Sequence, residues 1–223
     1  MNNTVLNLAG LNANEKLEKL ISTFETLQGK DSLEVCAETS LQPLLSSFQE
    51  KFWGSYDWHP LENGPTQWRV VLHRAPNANR ERGLKDFMGF DHYRCDELYA
   101  ATENAAQSGN LEVTRSLFGA FELGMTHHFN MEEQGFFPAF EQATGMTQGP
   151  TMVMRMEHRQ MLGVIGQMRQ AVNQNDLAGV IRAGTTLMVL MRQHNIKEEQ
   201  MLYPMGDMHL GSVQPLLRTM QAL

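Results

Sequence analysis

An internal repeat in the second part of the chain limits the fold more than any other feature. At an offset of 66 residues, the segment HFNMEEQGFFP, which begins at His128, aligns with HNIKEEQMLYP, which begins at His194. At the same offset, the acid-His pair at 91–92 aligns with the pair at 157–158. Each copy has a histidine, a second histidine 36 residues later, and two glutamates that start four residues after that. The pattern predicts two equivalent halves.

Apolar residues spaced three and four apart predict long helices from residue 84 onward. The breaks between them are rich in Gly, Asn, Ser and Pro and lie at 107–110, 145–150 and 173–176. Because these connections are short, consecutive helices are antiparallel and form a four-helix bundle. The segment SVQPLLRTMQAL predicts a further short helix at the end of the chain. We place the four long helices at 86–107, 111–143, 150–174 and 177–207.

The amino-terminal part has a different pattern, in which short β-rich runs alternate with amphipathic helical ones in the order β-α-β-α-β-β. Asn63-Gly64 between two strand-like runs predicts a hairpin. The residues that follow lack apolar periodicity, which is typical of a linker. We therefore expect an α+β protein of two domains. They are a small α/β sandwich of unknown role at 1–75 and, after a linker at 76–84, an antiparallel four-helix bundle at 85–223.

Composition excludes several classes of partner. The net charge is -7, and no run of basic residues could follow a phosphate backbone, so we expect no nucleic acid partner. The apolar stretches are far shorter than the ~20 residues that span a bilayer, so we expect no membrane association. The first residues lack the pattern of a secretory signal, and Cys36 and Cys95 lie far apart. We predict a cytoplasmic protein with reduced thiols.

Hairpin geometry predicts that the repeat histidines share one layer of the bundle. Two residues of a helical hairpin lie at the same height when they are equidistant from the turn. The first two histidines are centred on Asn110 and the last two on Asp176, and both centres lie in predicted turns. The histidines of this layer are His92, His128, His158 and His194.

Two glutamates are predicted to join the layer. Glu132 and Glu198 each follow a repeat histidine by four residues, a separation of ~40° around an α-helix. Glu133 and Glu199 lie ~100° further round, so we expect the first pair to point inward. His127 is expected outside the site, because the residue four positions after it is a methionine.

Four imidazoles and two carboxylates in a bundle interior require compensation, because burial without partners is costly. Nitrogen and oxygen donors without thiolate suit iron, manganese or zinc, and this set suits two ions bridged by carboxylates. We favour two iron ions, with zinc or manganese as the less favoured metals; ordinary core or surface histidines are the remaining alternative. Four further acids are candidates to orient the ligand imidazoles: Asp91, Glu133, Glu157 and Glu199.

The duplicated block H-x-x-x-E-E-x-x-[FLMY]-[FY]-P resembles the hemerythrin superfamily, specifically its HHE cation-binding domains, over roughly residues 84–207. The resemblance implies a four-helix bundle that holds a non-haem di-iron centre. Its two iron ions would be bridged by carboxylates, and an oxo or hydroxo bridge is a further option. The implied ligands are His92, His128, Glu132, His158, His194 and Glu198.

The chain departs from the oxygen-carrying hemerythrins, which place a fifth histidine one helical turn after the third. Leu162 occupies that position here. Their last carboxylate comes five residues after its histidine, whereas Glu198 comes four after His194. Six protein ligands rather than seven would leave open or water-filled metal positions, which argues against reversible oxygen storage. The pattern is closer to bacterial relatives linked to nitric oxide stress and iron-sulfur cluster repair, and to iron-sensing members.

The amino-terminal part resembles a small family of uncharacterised α/β domains with a sulfur-carrier-like fold, often found beside hemerythrin domains. The segments EVCAETSLQPLL and YDWHPLENGPTQWRVVLHR carry this resemblance. Sulfur carriers have a Cys-Pro at the start of the first helix, where residues 11–15 of this chain contain no thiol. Docking or regulation is therefore a better expectation than a persulfide relay.

These observations predict a protein that binds or senses oxygen or nitric oxide in a stress response, with the amino-terminal domain reporting the change or docking a protein partner. One alternative is a di-iron enzyme for nitric oxide or peroxide reduction or iron-sulfur cluster repair. A second alternative is iron storage or buffering. The sequence leaves open whether there is turnover.

Several other residues have plainer interpretations. Cys95 is expected to be a small buried apolar residue, and the methionines between 152 and 168 are expected to provide flexible packing. A partner-binding surface is the minor alternative for those methionines. Tyr93, Tyr99 and Tyr203 could each supply a hydroxyl or an oxidisable ring near the metals, and the sequence does not choose among them.

Overall fold

The computed structural model describes residues 3–29, 31–52, 54–64, 66–74 and 82–223. The chain divides into two compact units, which meet in sequence between Arg82 and Gly83. Residues 75–81 hold most of the predicted linker 76–84 and lie outside the described residues, so the linker stays a prediction. No described helix has the length and apolar character needed to cross a membrane.

The amino-terminal unit is a four-stranded sheet with two helices, as the order β-α-β-α-β-β predicts. The sheet order is β1-β2-β4-β3, with β1 and β2 parallel and the other pairs antiparallel. Alternate residues of the strands bury apolar side chains against the helices. The elements are β1 (Asn3–Asn7), α1 (Ala13–Thr26), β2 (Ser32–Ala37), α2 (Gln42–Phe52), β3 (Tyr56–Asn63) and β4 (Trp68–Arg74).

Local sequence explains two features of this unit. Asn12 caps α1: its side chain accepts from the Glu15 amide, and the Glu15 carboxylate accepts from the Asn12 amide. The predicted hairpin joins β3 and β4, but Asn63 lies inside the ladder and pairs with Trp68. Gly64 takes the positive φ of 59° that this connection requires.

The carboxyl-terminal unit consists of long helices, and the four predicted long helices are confirmed. Two of them are interrupted by π-helical turns, which the sequence did not predict. The terminal helix is also present, and it packs against the first π-helical turn. The elements are α3 (Leu84–Gln107), α4 (Leu111–Asn130), the first π-turn (Met131–Phe136), α5 (Phe137–Thr144), α6 (Pro150–Asn173), α7 (Leu177–Lys197), the second π-turn (Glu198–Leu202), α8 (Tyr203–His209) and α9 (Gln214–Gln221).

Capped turns fix the register of the two helical hairpins. The Asn110 side chain accepts a hydrogen bond from the Val113 amide at 3.2 Å and begins α4. The Asp176 side chain accepts from the Gly179 amide at 2.8 Å and begins α7. These caps are the two centres about which the repeat histidines were expected to pair, so each hairpin carries its histidines at matching heights.

The bundle core is built from aromatic, aliphatic and methionine side chains of α3, α4, α6 and α7. Cys95 belongs to this core, as expected, and burial raises the pKa of its thiol to about 12. The Met-rich run at 152–168 is divided between the core and the surface: Met161 and Met168 are buried, whereas Met152 and Met156 are exposed. Flexible core packing therefore accounts for only part of that run.

Candidate metal centre

The four repeat histidines meet two buried glutamates in the middle of the bundle. The ring centroids of His92 and His128 lie 4.7 Å apart, and those of His158 and His194 lie 4.9 Å apart. Each histidine is at most 4% exposed, and both glutamates are completely buried. The six residues were all predicted from the sequence, and the structure brings all six together: His92, His128, Glu132, His158, His194 and Glu198.

The inner nitrogen atoms of the histidines converge on the two carboxylates. Glu132 Oε2 lies 3.1 Å from His158 Nε2 and 3.5 Å from His128 Nε2. Glu198 Oε1 lies 3.1 Å from His194 Nε2, and its Oε2 lies 3.2 Å from His92 Nε2. Each carboxylate thus contacts one histidine from each copy of the repeat, which is the arrangement that a bridging ligand needs.

Two overlapping groups of these residues each bring their donor atoms within 4.8 Å of one another. The first group, called position A below, comprises Glu132, His158, His194 and Glu198. The second group, called position B below, comprises His92, His128 and Glu198. Because Glu198 belongs to both, the two positions are adjacent.

The outer nitrogen of every histidine contacts an acid. His128 Nδ1 lies 2.8 Å from Asp91, and His194 Nδ1 lies 3.0 Å from Glu157. Each of these acids therefore contacts the second histidine of its own repeat and not the histidine next to it in sequence. The two remaining contacts, each of 2.7 Å, cross between the repeats: His92 Nδ1 with Glu199, and His158 Nδ1 with Glu133. All four acids named from the sequence lie beside a histidine. A carboxylate at Nδ1 fixes the ring orientation and leaves Nε2 for a metal.

The π-helical turns decide which side chains can reach the cluster. The Phe137 amide donates to the Glu132 carbonyl, and the Tyr203 amide donates to the Glu198 carbonyl, each across five residues. In an α-helix a residue five positions later lies ~140° away around the axis. The wider π-turn returns Tyr203 to the side of the helix that carries Glu198. Its hydroxyl accordingly lies 3.1 Å from Glu198 Oε2.

The histidines and glutamates of the cluster shift each other's pKa values. Burial alone would lower the pKa of the His92 imidazole, but its contacts with Glu198 and Glu199 raise that pKa to about 10. Burial alone would raise the pKa of the Glu198 carboxyl, yet the histidines beside it hold that pKa well below its usual range. The Glu198 carboxylate therefore remains ionised and attracts positive charge to the centre.

Two of the four outer acids are anchored by cations. Burial opposes the charge of Asp91, but Arg94 and His128 hold the pKa of its carboxyl well below the usual range, and Arg94 Nε donates to it at 2.8 Å. Glu157, which corresponds to Asp91 in the second repeat, is contacted by Lys197, a cation from a different position of the repeat. Both acids are thereby held in position beside the histidines.

A comparison with known families agrees with this geometry. A family model described as the hemerythrin HHE cation binding domain matches residues 86–206, more than half of the chain. The chain belongs to this HHE family. A second family model, described as an uncharacterized conserved protein (DUF2249), matches residues 5–74. Searches of curated proteins and of solved structures find no match.

The donor set of the HHE domain fits metal ions. Three inner atoms of the cluster are buried without a partner of hydrogen-bond geometry among the described residues: His128 Nε2, Glu132 Oε2 and Glu198 Oε1. Imidazole nitrogen atoms nevertheless lie near both carboxylate oxygens. Polar atoms buried in this way are destabilising unless something else satisfies them. All three point into the shared centre, so a cation there would satisfy them together. The buried His/Glu group of this domain is able to hold metal ions.

Other residues considered from the sequence lie elsewhere. His127 is buried but belongs to neither metal group, and burial lowers the pKa of its imidazole to about 4. Leu162 is 45% exposed, so the position of the fifth hemerythrin histidine faces outward here. Tyr93 is exposed, and the Tyr99 hydroxyl contacts Glu103 instead of the cluster.

Tyr203 is the tyrosine that enters the site. It is completely buried, and its hydroxyl lies 2.8 Å from Glu132 Oε1, 3.1 Å from Glu198 Oε2 and 3.3 Å from His92 Nε2. The sequence places it in the duplicated block of the repeat but gives no reason to prefer it to Tyr93 or Tyr99. The π-turn supplies that reason, and a helix with uniform α geometry does not predict it.

Proposed function

We propose that this protein is a non-haem di-iron protein that binds or senses a small diatomic ligand, oxygen or nitric oxide, in a stress response. The observation that carries the proposal is the buried cluster of four imidazoles and two carboxylates, with an acid at the outer nitrogen of every imidazole. The six proposed ligands are His92, His128, Glu132, His158, His194 and Glu198.

Charge balance supports two divalent ions. Six carboxylates lie in or directly around the cluster, and Arg94 and Lys197 each pair with one of the outer acids. With neutral imidazoles, these groups leave four negative charges, which two divalent cations match. One divalent ion would balance the two buried glutamates, and a second would balance Glu133 and Glu199, whose side chains are each 39% exposed.

The donor types support iron. Imidazole nitrogen with carboxylate oxygen and no thiolate is a set that suits iron, and zinc and manganese remain the competing metals. Six protein donors shared by two ions give about three donors for each ion. Iron favours more ligands than that, so sites remain to which a small molecule can bind. When bound, iron would supply reversible ligand binding and electron transfer at the centre.

Burial limits what can reach the centre. The Phe129 ring stacks on His158 at 4.1 Å, and the Phe137 ring lies 5.7 Å from the same imidazole. Such an apolar shell excludes large polar substrates and lowers the local dielectric. A diatomic gas can pass through such a shell, because it is small and uncharged.

Stopped-flow spectroscopy of the iron-loaded protein tests the function. We expect nitric oxide, added without oxygen, to give a stable spectral change that reverses when the gas is removed. Release of a reduced product over many turnovers would instead support an enzyme. Rapid loss of iron to a chelator without any spectral change would support iron storage. Either of the last two results contradicts a binding or sensing role.

We extend the proposal to the amino-terminal unit, which would report the state of the bundle or dock a protein partner. Its support is that a second family domain, matched over residues 5–74, accompanies the metal-binding domain on the same chain. We expect nitric oxide binding in the bundle to change hydrogen exchange at the strand amides of residues 3–74. Identical exchange with and without the gas contradicts the reporting role.

A further inference from the structure

We propose that the two metal positions bind with unequal affinity, and that Tyr203 is the positioning residue that makes them unequal. Position A is the tight site, and position B is the weaker site that fills second and empties first. This inference rests on the proposed function, since it requires two metal ions. It adds an assignment of which ion is exchangeable and which side chain controls the exchange.

The number of donors already distinguishes the positions. Four residues offer donor atoms to position A, whereas three offer them to position B. The difference arises at Glu132, whose Oε2 lies between His158 and His128 while its Oε1 points to the Tyr203 hydroxyl. One carboxylate oxygen that could serve position B is therefore already engaged.

The repeat makes this difference unexpected, because the surroundings of the two positions are nearly equivalent. Every histidine has an acid at its outer nitrogen, and the two acids that contact a histidine of their own repeat are each paired with a cation. Beside the imidazoles, Phe129 stacks on His158, and Asn195 takes its place in the second repeat. The difference that reaches the inner oxygen atoms is the residue five positions after each inner glutamate. It is Tyr203 in the second repeat and Phe137 in the first.

The two rings occupy matching places and differ by one hydroxyl. Tyr203 lies 5.7 Å from the His92 ring, and Phe137 lies 5.7 Å from the His158 ring. The hydroxyl contacts two donor atoms of position B, Glu198 Oε2 and His92 Nε2, and also Glu132 Oε1, the free oxygen of a position A carboxylate that could otherwise reach position B. No equivalent hydroxyl exists beside position A, because phenylalanine has none.

The hydroxyl weakens position B by competition. A carboxylate oxygen that accepts a hydrogen bond from a phenol has less electron density to offer a metal, and a direct bond requires that contact to rearrange. Losing one hydrogen bond to a charged group corresponds to roughly a tenfold change in an equilibrium constant. We therefore expect the affinities of the two positions to differ by about that factor or more.

Anaerobic titration of the metal-free full-length protein tests the inference. Fe(II) alone is the first probe, and Zn(II), which has no redox chemistry, is the second. The unmodified protein is expected to bind in two resolved steps. Tyr203→Phe should strengthen the second step by roughly tenfold and leave the first unchanged. His128→Gln should remove the second step and keep the first, which assigns the weaker step to position B.

Tyr99→Phe is the matched control, because Tyr99 is a buried tyrosine of the same bundle whose hydroxyl contacts Glu103 and not the cluster. It should leave both steps unchanged. Two equal affinities in the unmodified protein would overturn the inference while leaving the proposed function intact. A second step that weakens in Tyr203→Phe would also overturn it. Failure to bind either metal would overturn the proposed function together with the inference.

Discussion

Glu132→Ala is expected to lower the metal content of the purified protein from two ions per chain to one or fewer. The carboxylate lies within 3.5 Å of His128 and His158, one histidine from each metal position. Its loss removes a shared donor and leaves the facing imidazoles without their buried anion. Because metal binding is linked to folding, we also expect the melting temperature to fall by roughly 5–10 °C. Elemental analysis and calorimetry measure the two effects.

Glu133→Ala is the matched control, since it removes the neighbouring carboxylate on the same π-turn. Glu133 contacts the outer nitrogen of His158 at 2.7 Å and is not one of the proposed ligands. Loss of such a contact weakens metal binding by about 10–100-fold without removing a ligand. Both ions should therefore remain bound when metal is in excess. Unchanged stoichiometry in Glu132→Ala, or loss of both ions in Glu133→Ala, would contradict the assignment of the inner glutamates.

Removal of the metals from the unmodified protein is expected to destabilise the helical bundle strongly. Free metal about 1,000-fold above its dissociation constant stabilises the folded state by about 4 kcal/mol. For a domain of this size, that corresponds to a fall of roughly 8–16 °C in melting temperature on chelation. The physical reason is that His128, Glu132 and Glu198 each keep a buried polar atom without a hydrogen-bond partner among the described residues.

The chelation experiment has an internal control in Glu132→Ala. If that variant already lacks metal, adding a chelator should not lower its melting temperature further. Restoring Fe(II) to the unmodified apoprotein should return the original value. A melting temperature that does not respond to chelation in the unmodified protein would show that the cluster is stable without metal.

The layer of histidines could be predicted because it depends on long-range regularity. Equal spacing about Asn110 and Asp176 fixes the heights of the histidines, provided that those residues lie in the turns, and both of them cap helices in the structure. Helical periodicity also placed Glu132 inward and Glu133 beside it. These inferences need only the geometry of a helix and a hairpin, so they hold whatever the details of packing.

The features that could not be predicted depend on local departures from regular helices. Nothing in the residues of Met131–Phe136 or Glu198–Leu202 indicates a π-turn, although both segments contain the same E-E-Q motif. The π-turn is what directs Tyr203 into the cluster. Similarly, the acids beside the histidines could be named, but not which histidine each contacts, because two of the four contacts cross between repeats.

The amino-terminal unit shows the same division between pattern and detail. Alternating burial in β2 and the capping box of α1 follow from the sequence, and the predicted order of strands and helices is confirmed. The hairpin is also confirmed, but its turn begins after Asn63 and not at it. A short motif predicts that a chain reverses direction, whereas strand pairing on both sides decides at which residue it does so.

The most direct test of the account is elemental analysis of the full-length protein prepared without oxygen and without added metal chelators. The account predicts two iron ions per chain. Protein that contains no transition metal, or that holds one zinc ion per chain, would contradict the di-iron centre on which the proposed function depends.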